Sequence, residues 1–235
     1  MEQISPHWMT IYRDIRGRIQ QKQLGSGRQL PSQSQLSEQY GVPRYAVRRA
    51  FDRLREEKLI DSWQGRGAYV RSQPLIYEIN ERTKFGTDLR QVGRHVQIEI
   101  LSLRPAQRAP TEITQMLGAS HLDLIDVGEM IHHVDGSPTL IGRHYFSPQK
   151  FPNILTHLLK SKSAPQALSN FGVIDYRRAE TRVESRLPTS FEAEQLNIAP
   201  SQPILQLRGR NVDADDNVVE VTEIIGRGDY IQLKI

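Results

Sequence analysis

One stretch, Pro31 to Arg71, restricts the architecture of this chain more than any other. Ser32 suits a helix N-cap, and Gln35 three residues on completes a capping box, in which each side chain satisfies the other residue's backbone N–H. A helix from there runs to about Tyr40 and stops at Gly41, which tolerates the left-handed conformation that ends helices. A second helix begins near Pro43 or Arg44. Its Val47, Ala50, Phe51 and Leu54 recur at i, i+3, i+4 and i+7 and make one apolar face. Tyr45, Arg49 and Asp52 lie opposite that face, and Arg44 and Arg48 flank it. Two β-prone runs, Leu59 to Trp63 and Ala68 to Arg71, then bracket Gln64-Gly65-Arg66-Gly67, a natural hairpin tip. Helix, glycine turn, helix is the helix-turn-helix pattern, whose second helix meets base edges with its N-terminal residues. The hairpin is placed as a wing that can carry Arg66 to a narrow minor groove. Two amphipathic helices joined by a glycine turn also occur in α-rich domains that touch no DNA, so charge has to separate the two cases.

Charge favours the nucleic-acid case. Residues 1–73 hold 13 Lys and Arg against 7 Asp and Glu, whereas the remainder holds 18 against 20. A basic first part and a near-neutral second part point to polyanion binding by the first part only. At 235 residues the chain suits one large or two small domains. The absence of cysteine excludes thiolate metal sites, cysteine nucleophiles and a disulfide framework. No apolar run approaches 18 residues, and no apolar segment near the N-terminus reads as a secretory signal. The expected location is the cytoplasm.

Along the rest of the chain, Trp8 to about Gln23 carries a helical apolar stripe, and residues 73–83 read as a linker with one short strand. Lys84-Phe85-Gly86-Thr87 opens a short segment. A helix start there would aim backbone N–H groups at an anion; an ordinary capped helix is the alternative. Val96 to Leu101 alternates as a strand, and Pro110 to Leu117 reads as a helix closed by Gly118. Leu124 to Val134 and Thr139 to Phe146 form a hairpin across Asp135-Gly136. Helices follow at Pro148 to Leu159 and Ala164 to Phe171, then a strand from Tyr176 to Leu187 whose alternation is weakened by arginine. Thr189 to Leu196 is a helix with Thr189 as cap. Ile204 to Asp213 and Val218 to Ile225 make another hairpin, and Tyr230 to Ile235 a last strand. Antiparallel strands with interspersed helices define an α+β domain.

With these elements in place, two resemblances follow. Leu30-Pro31-Ser32, Gly41-Val42-x-Arg44, Val47-Arg48-x-Ala50, Leu54 and Gly65-x-Gly67 resemble the winged helix-turn-helix of GntR-family bacterial transcription regulators. The resemblance implies DNA contacts at Gln33, Arg44, Tyr45, Arg48, Gln64 and Gly65, to which the residue pattern adds Arg49 and Arg66. The family usually has Ser or Thr where this chain has Pro43, which removes a hydroxyl able to touch phosphate. The second part resembles the UTRA effector domain of the HutC subfamily, which shares a chorismate-lyase-like fold. It does so at Phe85, Leu117-Gly118, Asp135-Gly136-x-Pro138, Arg143-x-Tyr145-Phe146, Leu196, Pro203-Ile204-Leu205, Val219-Glu220 and Gly228-Asp229. Within that group it looks most like the branch named for phosphonate-utilisation repressors. The expected boundaries are a winged domain over 1–72, a linker over 73–83, and a ligand-binding and dimerisation domain over 84–235.

Other constellations are weaker. His132 and His133 are adjacent on a strand and point to opposite faces, so no metal site is expected, and no cofactor. His132 and His144 sit on paired strands and can both face a cavity, although a surface or core histidine is as good a reading of each. No HExxH, GxSxG or GxxxxGK[ST] motif is present. Glu220 and Arg227 read as surface charge from pattern alone; the resemblance makes Glu220 a ligand contact. The candidate effector set is Lys84, Phe85, Gly86, Thr87, His132, Arg143, His144, Glu220 and Arg227. The expected function is a ligand-responsive, dimeric transcription regulator, a repressor released from operator DNA by a small anionic metabolite of phosphonate or sugar-phosphate type. The alternative is an enzyme of chorismate-lyase-like fold fused to a DNA-binding module.

Overall fold

A computed structural model of the chain describes residues 7–21, 23–25, 27–63, 67–71, 75–78, 94–120 and 123–234. The chain divides into two compact units, Met1–Gln73 and Pro74–Ile235. The first contains α1 (His7–Gln20), α2 (Gln33–Tyr40), α3 (Arg44–Glu56) and a two-stranded antiparallel sheet, β1 (Ile60–Trp63) and β2 (Gly67–Val70). Ser32 and Gln35 form the expected capping box, and Gly41 ends α2 in the left-handed region at φ 61°. Pro43 occupies the N-cap of α3 and supplies no side-chain cap. One core joins the elements: Ile11 and Ile15 from α1, Leu36 from α2, Val47, Ala50, Phe51 and Leu54 from α3, and Ile60 and Val70 from the hairpin. Burying each of the larger aliphatic side chains is worth about 1.5–3 kcal/mol, which outweighs the weak propensity of an eight-residue helix such as α2. Polar ties close the periphery. The Tyr12 hydroxyl donates to Glu57 at 2.7 Å and the Tyr40 hydroxyl to Asp14. Burial and the Asp14 carboxylate push the Tyr40 phenol up to about 12.

The second unit is built on a six-stranded antiparallel sheet in the order β4-β5-β6-β9-β8-β7. Its strands are β4 (Val96–Gln107), β5 (Ile125–Val134), β6 (Ser137–Phe146), β7 (Arg177–Arg186), β8 (Ile204–Val212) and β9 (Val218–Arg227). The β5–β6 hairpin turns at Asp135 and Gly136, both with positive φ (51° and 80°), as a two-residue primed turn requires. Helix α4 (Thr111–Leu117) buries Ile113, Met116 and Leu117 against Val127, Tyr145 and Val221. Helices α5 (Ile154–Ser161) and α6 (Ala164–Ser169) cover Met130 and Phe146. Helix α7 (Ser190–Leu196) packs Ala193 and Leu196 on Ile131, Ile141 and Ile225. A small parallel sheet joins β3 (Leu75–Glu78) to β10 (Ile231–Lys234), with Leu75 and Tyr77 buried.

Two elements differ from expectation. The helix expected from Pro148 begins only at Ile154, because Asn153 at φ 62° interrupts the helical path after a turn at residues 147–153. Strand β4 runs on past the expected end at Leu101 to Gln107, whereas the short strand expected in the linker is present as Leu75–Glu78 and belongs to the second unit.

The seat of α5 gives the first testable consequence. A Cβ on Gly128 would lie 2.2 Å from Cδ2 of the fully buried Leu158. Gly128→Ala is therefore expected to push α5 off the sheet and destabilise the chain by about 1–3 kcal/mol. Urea denaturation checks this; an unchanged midpoint would mean that Leu158 has room to turn aside.

Candidate functional site

The exposed surface of α3 carries Arg44, Tyr45, Arg48 and Arg49. Its two ends differ in electrostatics. Near the C-terminal end, Arg53 pairs with Glu56 and Glu57 at 3.1 Å each, and Arg55 pairs with Asp52. At the N-terminal end, Arg44 and Arg48 form no ion pair among the described residues. They lie one helical turn apart, and guanidinium groups left without carboxylates on an exposed face suit phosphate oxygens or guanine edges. Arg49 is turned aside: its guanidinium carbon lies 4.8 Å from the centroid of the Trp8 ring on α1. Gln33 sits half-buried in the first turn of α2. Gln64, Gly65 and Arg66 lie outside the described residues, between the paired ends Trp63 and Gly67 of the hairpin.

In the second unit, residues directly opposite one another on neighbouring strands share a face of the sheet, and two consecutive rungs separate the candidates. One rung runs Glu129, Arg143, Glu223, Arg208; the next runs Gly128, His144, Thr222, Gly209 on the opposite face. Arg143 and His144, grouped by the sequence reading, are thereby parted.

The Arg143 face is a saturated ion-pair network. Arg143 Nε donates to Glu129 at 2.6 Å, and its other nitrogens lie 3.3 Å from Glu192 and 3.6 Å from Glu223. Glu223 also accepts from Tyr145 at 2.7 Å, Arg208 at 2.8 Å and Gln206 at 2.9 Å. Burial, and then the Glu223 charge, raises the Tyr145 phenol well above its ordinary range. Arg186 grips Glu192 with two bonds of 2.7 and 2.8 Å. These contacts tie α7 to the sheet. Arg208 also reaches Glu112 of α4 at 2.8 Å.

The His144 face is different in kind. His144 Nδ1 lies 3.0 Å from Glu220 Oε2, and Asn211 Nδ2 donates to Glu220 Oε1 at 2.8 Å. Glu220 is 2% exposed, so it is an interior charge and not a surface one. Tyr176 lies within its field: burial first, then the Glu220 charge, raises the Tyr176 phenol. His132 and His144 both lie over Gly142, with Nε2 atoms 3.7 and 3.4 Å from where a Cβ would stand. Arg178 Nε and Thr222 Oγ1 converge in the same way over Gly209, at 3.0 and 2.9 Å. Arg178 reaches Tyr77 at 3.2 Å and Asn211 at 3.4 Å, both long bonds. The Thr222 hydroxyl is buried and has no hydrogen-bond partner among the described residues. Two imidazoles over Gly142, and a guanidinium and a hydroxyl over Gly209, therefore stand on one face of the sheet, with Glu220 on that same face. Donors outnumber acceptors there, which suits an oxyanion that also carries a hydroxyl or amine.

The remaining candidates lie elsewhere. A β-bulge separates His132 from His133, and His133 lies 3.7 Å from Glu99. Arg227 is buried at the end of β9, held by two bonds to Asp229 at 2.7 and 3.2 Å. Lys84, Phe85, Gly86 and Thr87 lie outside the described residues. Sequence reasoning missed Arg178, Asn211 and Thr222. The arginine interrupting the alternation of β7 was the available signal for Arg178; nothing local marks the other two.

A basic winged helix-turn-helix followed by a sheet domain with a polar, donor-rich interior defines a transcription regulator with a separate sensing domain. Residues 9–70 match the model of bacterial regulatory proteins of the gntR family, and residues 91–232 match that of the UTRA domain. The chain belongs to the GntR family of regulators, in the HutC type that carries a UTRA domain. It is 27% identical to the mannosyl-D-glycerate transport/metabolism system repressor MngR of Escherichia coli, over 89% of this chain and 88% of that one. It is 22% identical to the transcriptional repressor NagR of Bacillus subtilis, over 95% and 91%. Its fold matches the crystal structure of PhnF from Mycobacterium smegmatis with a TM-score of 0.62 at 17% identity, covering 95% of this chain and 97% of that one. Its relatives are regulators, and the enzyme alternative finds no support among them. Among the described residues no helix is long and apolar enough to cross a membrane.

Proposed function

We propose that this chain is a cytoplasmic, homodimeric repressor that leaves its operator when a small anion binds the His144 face of the UTRA domain. Arg44 and Arg48 read bases. Gln33, Tyr45, Arg49 and the wing residues Gln64, Gly65 and Arg66 fix the module on the backbone and in the minor groove. The supporting observation is the buried Thr222 hydroxyl, unmatched among the described residues, beside Arg178 and over the bare backbone of Gly209. A phosphate or phosphonate oxygen would satisfy it and take charge-assisted bonds from Arg178, His132 and His144. Glu220 would then accept from a hydroxyl or amine on the same molecule. Lys84 and the backbone of Phe85, Gly86 and Thr87 add a second anion contact in this reading. Arg143 and Arg227 act through the scaffold. To release DNA, the ligand must bind unequally to the state whose two recognition helices match the half-sites and to the state in which they do not.

Calorimetry tests the pocket. Methylphosphonate and a hexose 6-phosphate are titrated beside the unphosphorylated hexose, first into the native chain and then into Arg178→Met. The phosphorylated compounds are expected to bind and the neutral hexose not. Losing one charged donor should weaken binding at least about tenfold. Equal binding of the neutral hexose, or an unchanged affinity in Arg178→Met, would reject the pocket and leave the family assignment intact.

A further inference from the structure

Helix α3 carries five arginines, and the fold holds them in three different ways. Arg53 and Arg55 commit their donors to nearby carboxylates. Arg44 and Arg48 stand exposed without an ion pair among the described residues. Arg49 is held by a ring. Its guanidinium carbon lies over Trp8 of α1, 4.8 Å from the ring centroid, and it too forms no ion pair among the described residues. The difference matters to an anion. A carboxylate occupies N–H donors and cancels charge. An aromatic face does neither, because it meets the flat side of the guanidinium and leaves the in-plane donors and the full charge available.

Trp8 is itself firmly seated. It packs against the core of the first unit. Tyr12, one turn along α1, stands beside it with ring centroids 6.3 Å apart and planes tilted by 52°, and Tyr12 is anchored to Glu57 at 2.7 Å. Trp8 Nε1 is buried and has no hydrogen-bond partner among the described residues, so packing and not a hydrogen bond sets the ring's orientation. Nothing acidic competes for Arg49 close by: α1 has no acidic residue in its first turn, and Asp52 is taken by Arg55. Arg49 follows the exposed Tyr45 by four residues, as Arg48 follows Arg44, so the two pairs form parallel lines along the outer face of α3.

We propose that Trp8 is a positioning residue for DNA binding: its ring holds the Arg49 guanidinium ready to take a phosphate oxygen. The proposal rests on the reading of Arg49 as a backbone contact given above. A long side chain that is mobile in the free protein must be ordered when it docks, a cost that corresponds to about two- to tenfold in affinity. Stacking on Trp8 orders Arg49 before DNA arrives. The ring touches no nucleotide and acts through Arg49 alone. Phosphate contacts carry no sequence information, so the effect extends to any duplex.

The test is fluorescence anisotropy of a labelled duplex of arbitrary sequence, titrated with the full-length chain between about 50 and 200 mM salt, with circular dichroism to establish folding. Arg49→Ala is expected to reduce the slope of log affinity against log salt by about 0.9 per bound chain, the mark of one lost phosphate contact. Trp8→Leu keeps an apolar side chain against the core but offers no ring, and is expected to bind about two- to tenfold more weakly. Trp8→Tyr restores a ring face and is expected to bind close to the native level. In the double variant W8L/R49A the loss caused by Trp8→Leu is expected to vanish, because the ring has nothing left to hold. If Trp8→Leu does not fold, Trp8→Phe, whose ring is a weaker partner, takes its place in the same cycle. An unchanged salt slope in Arg49→Ala overturns the backbone reading of Arg49 and the proposal with it. A reduced slope there, with native affinity in Trp8→Leu, overturns the role of Trp8 alone. So does a Trp8→Leu loss that persists beside Arg49→Ala or is not relieved in Trp8→Tyr, since Trp8 would then act through the fold. Tighter binding by Trp8→Leu would mean that the ring competes with DNA for Arg49, which also overturns the proposal.

Discussion

Replacing Glu192 with alanine is expected to cost about 3–5 kcal/mol, the usual penalty for leaving one member of a buried ion pair without its partner. The carboxylate is fully buried and takes both bonds from Arg186 as well as a 3.3 Å contact from Arg143. It also accepts the Thr189 N–H at 2.9 Å, in the capping box that starts α7. Losing it strands the Arg186 charge, takes from Arg143 one carboxylate beside Glu129 and Glu223, and removes the cap together. The same carboxylate predicts a pH dependence. Burial alone would raise its titration point, but the bonds from Arg186 and Thr189 prevail and lower it from 4.5 to about 2. A depressed folded value means that the stabilisation is complete above pH 4.5 and disappears as pH falls towards 2. About 3 kcal/mol is at stake across that interval. Glu192→Gln keeps an amide oxygen for the cap but carries no charge, so its stability should lack this part of the acid dependence. Urea titrations at pH 7, 4 and 3 on the native chain and both variants decide it. A native stability that is flat between pH 4.5 and 3, or a cost below about 1 kcal/mol in Glu192→Ala, contradicts the network as described.

The other large effect concerns DNA. Arg44→Ala and Arg48→Ala are each expected to lose about 1–3 kcal/mol of discrimination between operator and unrelated duplex, the worth of a bidentate guanine contact. The double variant should lose about 2–6 kcal/mol if the two contacts add, and less if they share a base step. The contrast within one helix makes the prediction specific. Arg53 and Arg55 are as basic but already engaged by Glu56, Glu57 and Asp52, so their alanine variants should change operator affinity by less than about threefold. Binding must be measured at one salt concentration, since phosphate contacts alone make affinity salt-dependent. Equal losses on operator and scrambled DNA would make Arg44 and Arg48 backbone contacts without a role in base reading.

Much of this protein is written in short windows of sequence. The capping box of Ser32 and Gln35, the left-handed Gly41, the apolar stripe of α3 and the Asp135-Gly136 turn each depend on residues within about one helical turn or one hairpin of each other. Local sterics and hydrogen bonding decide such features wherever the segment sits, and the structure shows them as the residues imply. The winged module is almost wholly of this kind. Residues 148–153 mark the limit: a helical pattern was legible there, but a left-handed Asn153 delays the helix, and propensity alone did not reveal it.

Which residues meet across the sheet depends on strand pairings between distant parts of the chain. The order β4-β5-β6-β9-β8-β7 brings together strands far apart in the chain, and no short window encodes it. That order puts Arg178 and Thr222 over the same glycine and brings Asn211 to Glu220. It also settles faces. Consecutive residues on a strand point to opposite sides, so once β5, β6, β9 and β8 are aligned, Arg143 must join the carboxylate network under α7. By the same geometry His144 must turn to the polar cluster behind it. That this chain joins a basic winged helix-turn-helix to an α+β domain follows from local pattern and charge alone. The strand register, a long-range choice made by the packing of helices on both faces, separates the charges that hold α7 to the sheet from those that gather around Glu220.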